Sequence, residues 1–485
     1  MKKRFQKALE DNDFSELFKK GGISFFLRIG GQIVGFLLTL LIARYFGAEG
    51  LGEYMLAVVV LRIFTLIAKL GMDTVSIRFI ASFAKQKKWR SLLHFRKKVV
   101  STLLVTSISS SSLMYFLANA IANLLNINPE YIRLFSFFIL PMTFFILHYQ
   151  SLRGLKKIAA FSFFYRMSQA LFTIITIIIL LQYSDDSIVP FYAYITSLTI
   201  VSLLAFVVFR SVLKEKIEEN AEEEIEEKSL KNILAVAMPL MFAQSVQFIM
   251  AWTDKIMIGN MMSATDVGIY GVAFKLSMFA SITLMAINSI AAPKFAEMYG
   301  ENNIEGLKKV AQQSTKMIFW STLPLVILFF MFPELLLGLF GEHFKIGVYA
   351  FLLLSFGKLI SSFSGSVGNL LQMTGKQLIY MNVLLVGAII NVLLNYFLIP
   401  IYGINGAAIA SMTSIIIWNL TMVYFVKKEL GFLTFYVPLK FFLLIAITLL
   451  FYVIWNGANT GLTIILIFLI LALIRSIRKK QKNEN

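Results

Sequence analysis

The sequence predicts an all-α integral membrane protein of about 14 transmembrane helices, and three observations lead there. Long apolar stretches run the length of the 485 residues. Lys and Arg fall almost wholly in alternate gaps between them. Polar and glycine landmarks recur at an offset of 216 residues (Tyr54 to Tyr270), drifting to 221 (Gly154 to Gly375). The first six spans and the next six therefore read as two pseudo-symmetric lobes, followed by two C-terminal helices.

A span needs about 20 apolar residues to cross a hydrocarbon core of roughly 30 Å. Such segments lie at 22–43, 51–72, 99–121, 131–152, 158–182, 187–209, 233–258, 267–291, 317–340, 347–372, 378–399, 404–426, 435–455 and 461–474, numbered here as spans 1 to 14. The N-terminus carries Lys2, Lys3, Arg4, Lys7, Lys19 and Lys20, and the next gap only Arg44. The third carries Arg78, Lys85, Lys87, Lys88, Arg90, Arg96, Lys97 and Lys98. Arg133 then stands alone, Arg153, Lys156 and Lys157 follow, and the gap around Asp185 and Asp186 has no basic residue. The alternation runs on to Arg475, Arg478, Lys479, Lys480 and Lys482. The positive-inside rule puts both termini in the cytoplasm, which requires an even span count. The net charge of +18 is thus mostly membrane orientation, because the basic residues flank spans instead of forming one patch. Nucleic acid is not an expected partner. With no Cys there is neither disulfide nor thiolate chemistry. The polar start, with Asp11, Asp13 and Glu16, lacks the pattern of a cleaved signal peptide.

Four units follow: a lobe at 1–213, a hydrophilic cytoplasmic linker at 214–231, a lobe at 232–426, and a tail at 427–485 with spans 13 and 14. The linker holds Glu215, Glu218, Glu219, Glu222, Glu223, Glu224, Glu226 and Glu227 among lysines, a solvated composition. Duplication rests on Gly52-Glu53-Tyr54 against Gly268-Ile269-Tyr270, Arg78-Phe79 against Lys294-Phe295, and Leu152-Arg153-Gly154 against Met373-Thr374-Gly375. Parallel six-span repeats are a transporter architecture with the substrate between the halves. Segments 79–95 and 294–310 mix Phe83, Trp89, Leu92, Phe95, Phe295, Ile304, Leu307 and Val310 with charged residues, and are expected to be amphipathic helices on the inner membrane face.

Ionisable groups at span centres cost roughly 2.5–3.5 kcal/mol each on insertion scales, so they face protein or water. Arg62 is near the middle of span 2 and Lys358 at similar depth in span 10; Lys275 is in span 8, Arg166 in span 5 and Arg28 in span 1. Lys69 and Lys440 sit close enough to the inner interface to snorkel and are set aside. The repeat offset takes Arg62 to Met278, one turn from Lys275, and Arg28 to Gln244. Acids within spans are few, chiefly Glu53 and Asp254, so most of these cations have no obvious acidic partner: each either pairs with a carbonyl or a stray acid, or serves the anionic substrate that an excess of positive charge favours. Asp254 either pairs with Lys255 or serves with Asn391 and Asn395. These two asparagines share one face of span 11 at i, i+4 and supply hard oxygen ligands for a small cation. They can equally act as helix-packing glue.

There is no phosphate-binding loop, since Thr374-Gly375-Lys376-Gln377 lacks the spacing and the hydroxyl. His94, His148 and His343 are scattered. No nucleotide site, catalytic metal or nucleophile is expected, and no bound cofactor. Energy would come from a gradient, a partner or substrate consumption, with Na⁺ or H⁺ as the coupling ion if a gradient drives it.

The order of short motifs resembles a known family. Leu41-Ile42-Ala43-Arg44-Tyr45-Phe46-Gly47-Ala48-Glu49-Gly50-Leu51-Gly52-Glu53-Tyr54 leads to Leu70-Gly71-Met72 and Arg78-Phe79-Ile80-Ala81. Asp254-Lys255-Ile256-Met257-Ile258-Gly259 precedes Val267-Gly268-Ile269-Tyr270, and Asn391 to Asn395 runs on through Pro400 and Gly403 to Ala408. This resembles the polysaccharide biosynthesis (oligosaccharide flippase) family of the multidrug/oligosaccharidyl-lipid/polysaccharide exporter superfamily, over nearly the whole chain. The resemblance implies a V-shaped pair of six-helix lobes rocking between inward- and outward-open states. It implies a cargo of sugars on a polyprenyl diphosphate, moved from the cytoplasmic to the outer leaflet of the cell membrane. The expected partners are that lipid-linked sugar, membrane lipid and polysaccharide-assembly proteins. From the related lipid II flippases it implies a cationic cavity, onto which Arg28 and Arg62 map, with Lys275 in place of an arginine. It also implies a sodium site, onto which Asp254, Asn391 and Asn395 map, with Asn395 where the relatives' pattern expects an acid. Two rivals stand beside this: a drug or metabolite exporter of the same superfamily, and a membrane sugar polymerase or ligase. The first fits poorly with buried cations, the second with short outer loops.

Overall fold

The computed structural model describes residues 12–217 and 228–435, every regular element of which is helical. Spans 13 and 14, Lys440, the basic tail, most of the acidic linker and the first basic residues lie outside the described residues. In hydrocarbon a chain must satisfy its own N–H and C=O groups, and continuous helices do so. Ten of the described helices are long and apolar enough to cross a membrane, or eleven when the bent pair Pro129–Ser136 and Ile139–Gly154 counts as one span. The longest, Phe26–Lys69, carries spans 1 and 2. Gly47, at φ 68° and ψ −168°, breaks it between them, a conformation that glycine tolerates. Spans 1 to 12 fall on helical segments, spans 3, 4, 9 and 10 each across a break between two helices. Large apolar side chains such as Val105, Ile108, Ile178, Ile179, Leu203, Val207, Ile389, Leu393 and Phe397 are exposed along these helices, a surface that suits lipid and not water. The chain is a multi-pass membrane protein.

Local signals set the breaks. Asn128 accepts from Glu130 N at 2.9 Å and Asn303 from Gly306 N at 2.8 Å, each starting a helix. Leu70 and Gly71 are both left-handed, so span 2 ends at Lys69 and a new helix, Met72–Lys85, starts. Span 5 carries a π-helical turn, Phe164–Ser168.

Neither amphipathic segment is a single helix. Residues 79–95 are the end of Met72–Lys85, a tight turn, and the start of Trp89–Phe116. Phe83, Trp89, Leu92 and Phe95 are buried in the protein core, as are Phe295 and Leu307. These side chains pack within the protein, while Ile304 stays exposed and Val310 half-buried.

The duplicated landmarks are also packing landmarks. Gly52 lies against the carbonyl of Ala264, and Gly268 against the carbonyl of Ala48. Each pair is the other's image under the repeat, so the contact between span 2 and span 8 is reciprocal. Tight turns match as well: Lys88 N bonds Phe83 O and Asn303 N bonds Met298 O, both at 2.9 Å. Lys157 N bonds Leu152 O at 2.9 Å and Lys376 N bonds Leu371 O at 2.8 Å. This aligns Lys87 with Asn302 and Lys156 with Gly375, a register slightly different from the one that matched Gly154 to Gly375.

Three hydrogen-bonded ties join residues of the first six spans to residues of the next six. Arg44 donates to the carbonyl of Leu339, Asn126 Nδ2 to Gly259 O at 3.2 Å, and Asn260 Nδ2 to Leu124 O at 2.9 Å.

Candidate functional site

A cavity of about 500 Å³ opens between spans 2, 4, 5 and 7 and the helix Met72–Lys85. Arg62, Lys69 and Arg153 line it against one acid, Asp73, with Gln150, Gln169, Gln244 and Gln247 as neutral polar groups. Its charge is therefore net positive. Arg62 is exposed to this space, with its guanidinium 5.7 Å from the Trp252 ring. Lys69, set aside from sequence as a snorkelling residue, is instead central. It bonds Asp73 Oδ2 at 2.8 Å and also Gln244 Oε1, while Gln244 Nε2 donates to Thr74 Oγ1 at 2.5 Å. Gly71 rests against Ala237 O in the same place, so these groups clasp the first repeat to span 7. The Lys69–Asp73 spacing of four carried the signal, but the partner on span 7 did not show in the sequence.

The other predicted cations do not share this lining. Lys275 donates to the Gly35 carbonyl and to Thr39 Oγ1 (2.5 Å), both on span 1. A second space of about 310 Å³, bounded by Gly31, Gln32 and Lys275, adjoins it. Arg166 sits in the π-turn, whose backbone touches span 1 at Gly31. Its Nε is buried without a partner, its guanidinium is 5.1 Å from the Tyr165 ring, and the half-buried Arg28 lies within its electrostatic range. Lys358 is half-buried, 5.8 Å from the Phe274 ring and within electrostatic range of Asp254.

Asp254 forms the second centre. It does not pair with Lys255, whose ammonium lies over the rings of Trp252 (4.3 Å) and Phe274 (4.9 Å). Its carboxylate accepts from Asn395 Nδ2 at 2.8 Å, from Ser411 Oγ at 2.5 Å and from Tyr270 OH at 2.5 Å. Asn395 also donates to Asn391 O at 2.9 Å and reaches Asn391 Oδ1 at 3.2 Å, while its own Oδ1 is buried with no partner. Four spans thus converge on one buried carboxylate. Asn395 touches Asp254 directly, and Asn391 joins the cluster through Asn395. Ser411 and Tyr270 had no such signal, since hydroxyls in spans are common. No cluster of three His, Cys, Asp or Glu occurs among the described residues, so any ion here would be held by one carboxylate with amide and hydroxyl oxygens. The unpartnered Asn395 Oδ1 beside that carboxylate fits such a set.

The model of the polysaccharide biosynthesis protein family matches residues 17–299, and the MatE model matches 239–397. A probable low-salt glycan biosynthesis flippase, Agl15 of Haloferax volcanii, is 24% identical over 165 residues, covering 34% of this chain and 35% of that one. The chain spans half or less of the length of such curated relatives. An inward-facing multidrug resistance MATE family transporter of the MOP superfamily shares the fold at TM-score 0.67 and 14% identity, over 85% of this chain and 98% of that one. The lipid II flippase MurJ in its inward closed conformation does so at TM-score 0.66 and 15% identity, over 95% and 99%. With its family model covering more than half of its length, the chain belongs to the polysaccharide biosynthesis protein family.

Proposed function

We propose that this protein is a flippase, not an enzyme, that moves polyprenyl-diphosphate-linked oligosaccharide from the cytoplasmic to the outer leaflet of the cell membrane for cell-surface polysaccharide synthesis. The observation that carries this reading is the net-positive cavity. Arg62, Lys69 and Arg153 face one acid in a space deep in the bundle. A diphosphate offers the oxygens that the two guanidinium groups and the ammonium bind best. The apolar exterior leaves room for the polyprenyl tail in lipid. Cationic dyes, the cargo of a drug exporter, would be repelled by the same charges. Arg28, Arg166, Lys275 and Lys358 would meet the cargo, or one another, as the two lobes change their relation. On this reading the chain has 14 spans in two V-shaped six-helix lobes, at 1–213 and 232–426. The linker 214–231 and both termini are cytoplasmic, and 427–485 adds spans 13 and 14. Polysaccharide-assembly proteins would supply and consume the cargo. Sodium or a proton at Asp254 would drive it.

Arg62→Glu tests the cavity. Breaking a charge-assisted contact costs about 1.5–3 kcal/mol, roughly a 10- to 150-fold loss in binding. Translocation of a lipid-linked sugar in proteoliposomes should fall by at least that much, and by more than for Arg62→Ala, with expression unchanged. Wild-type rates in Arg62→Glu would remove the diphosphate role.

Orientation is checked separately, in a chain that has no cysteine of its own. Asp185→Cys should react with an impermeant maleimide from outside intact cells, and Glu223→Cys should not. Reaction at position 223 would overturn the topology.

A further inference from the structure

We propose that the central cavity reads the sugar ring joined to the diphosphate, holding it against Tyr165 and Phe248 with Gln247 as its hydrogen-bonding group, while the rest of the glycan stays outside. This rests on the cargo proposed above and concerns the part of the wall that the cations leave unexplained. Arg62, Lys69 and Arg153 suit phosphate. Beside them, each of three spans brings an aromatic ring and a carboxamide to the wall. Span 4 supplies Tyr149 and Gln150, span 5 Tyr165 and Gln169, and span 7 Phe248 and Gln247.

In a chain with 46 Phe some rings would border any internal space, as core residues do. Three features go beyond that. The first is backbone. Span 5 carries its π-helical turn at Phe164–Ser168, where it meets the cavity. On an α-helix, residues five apart point about 140° away from each other. A π-turn closes from i to i+5 and brings such residues toward one face, and such turns are frequent at functional sites. Phe164, Tyr165 and Gln169 all line the cavity. Gln169 holds this register, since its Nε2 donates to Tyr194 O at 3.1 Å and Ser197 Oγ at 2.8 Å on span 6.

The second feature is exposure. Tyr149 is buried, as a core ring should be, but Tyr165 is 52% exposed. Only one face of its ring is covered by stacking, on Phe161, with centroids 5.4 Å apart and 10° between the planes. Gln247 is exposed as well and makes no hydrogen bond among the described residues, whereas Gln244 is occupied by Lys69 and Thr74.

The third feature is a repeated arrangement of arginine, backing ring and wall ring. The Arg153 guanidinium lies 5.2 Å from the Phe161 ring, on which Tyr165 stacks. The Arg62 guanidinium lies 5.7 Å from the Trp252 ring, on which Phe248 stacks at 6.0 Å and 25°. On both walls one backing ring thus places a phosphate ligand next to an aromatic surface. A sugar diphosphate has the matching order. Its ring presents C–H groups that suit the negative face of an aromatic ring, and hydroxyls that donate and accept, as a carboxamide does. A space of about 500 Å³ takes a ligand of small-molecule size, so the diphosphate and the sugar joined to it fill it.

The test measures binding to the purified full-length chain in detergent by native mass spectrometry. The ligands are polyprenyl diphosphate bare, with one N-acetylglucosamine, and with a trisaccharide built on that sugar. One stacking contact and one hydrogen bond should make the monosaccharide form bind about 10-fold tighter than the bare form. The trisaccharide should bind no tighter than the monosaccharide. Tyr165→Leu should bring the ratio of monosaccharide to bare affinity close to one, and Tyr165→Phe, which keeps the ring, should restore it. Gln247→Ala changes an exposed side chain, so its fold is retained, and it should lower the ratio about 3-fold. Arg62→Glu should weaken both lipids alike. Three results would overturn the proposal: a wild-type ratio of one, a wild-type ratio in both Tyr165→Leu and Gln247→Ala, or a trisaccharide held more than 10-fold tighter than the monosaccharide. Full binding of all three lipids by Arg62→Glu would remove the diphosphate role alone and leave the sugar contacts standing.

Discussion

Gly52→Ala is expected to force apart the reciprocal contact between span 2 and span 8 and to abolish transport. A Cβ at position 52 would sit 1.7 Å from the Ala264 carbonyl oxygen, and one at position 268 would sit 2.0 Å from that of Ala48. The obstructing atoms are backbone, so no rotamer change relieves them. The helices must separate, and separation loses the dispersion contacts along both faces. Overpacking of this kind costs about 1–3 kcal/mol, occasionally more. Small residues that let helix backbones touch are the usual glue of membrane helices, because lipid offers no hydrophobic drive for pairing. Gly268→Ala should behave alike. The double variant should cost much less than the sum of the two, because helices already parted for one methyl accommodate the second. Gly300→Ala, where nothing lies within 4 Å, should be neutral. Thermal unfolding in detergent measures the stability term. Maleimide reactivity of Met55→Cys, whose native sulfur lies beside Gly271, reports whether the repeats have opened. Additive losses with an unreactive Met55→Cys would show that the two glycines are separate local strains and not one interface.

These glycines show what a sequence discloses and what it withholds. Gly52 and Gly268 stand out as repeat landmarks, because duplication preserves spacing. That they face each other is a property of the assembled bundle, and spacing along one helix does not encode it. Arg62 was legible because a cation in the middle of a span has few tolerable environments. Lys69 is the opposite case: its depth alone suggests a reach to the interface, while Asp73 and Gln244 hold it inside. Lys275 was placed correctly on span 8, but its partner is the Gly35 carbonyl, and a backbone acceptor leaves no mark in the sequence. Lys87 and Lys156, left-handed at φ 59°, read only as orientation signals. Nothing in the residue type announces a left-handed lysine, since its intrinsic preference runs the other way.

Asp254→Asn is expected to abolish ion-driven transport, and the arrangement around it allows sodium and proton coupling to be told apart. The carboxylate is 8% exposed and receives three donors, from Asn395, Ser411 and Tyr270. Hydrogen bonds to a charged acceptor contribute about 1.5–3 kcal/mol each, so the three donors fix the position of the carboxylate. Asn395 is the adaptable member. Its amide presents Nδ2 to the carboxylate while its Oδ1 has no partner. Turning that amide by half a rotation exchanges a donor for an acceptor. With the acceptor forward, Asp254 and Asn395 offer oxygens to a sodium ion, and Asn391 Oδ1 stands one helical turn away. A proton on Asp254 would instead be donated to the turned Asn395 oxygen. Sodium coupling therefore needs the whole oxygen set, and proton coupling needs Asp254 above all. In proteoliposomes with imposed gradients, Asn391→Ala and Ser411→Ala should weaken sodium dependence at least tenfold if sodium is the ion, and leave proton dependence nearly intact if it is not. Tyr270→Phe keeps the ring packing and removes one donor, so it should perturb either mechanism mildly. Asp254→Asn keeps the shape, and loss of gradient dependence in a folded protein assigns the carboxylate its role. Wild-type rates for Asp254→Asn under both gradients would make the cluster structural, and flipping would then run without coupling at this site.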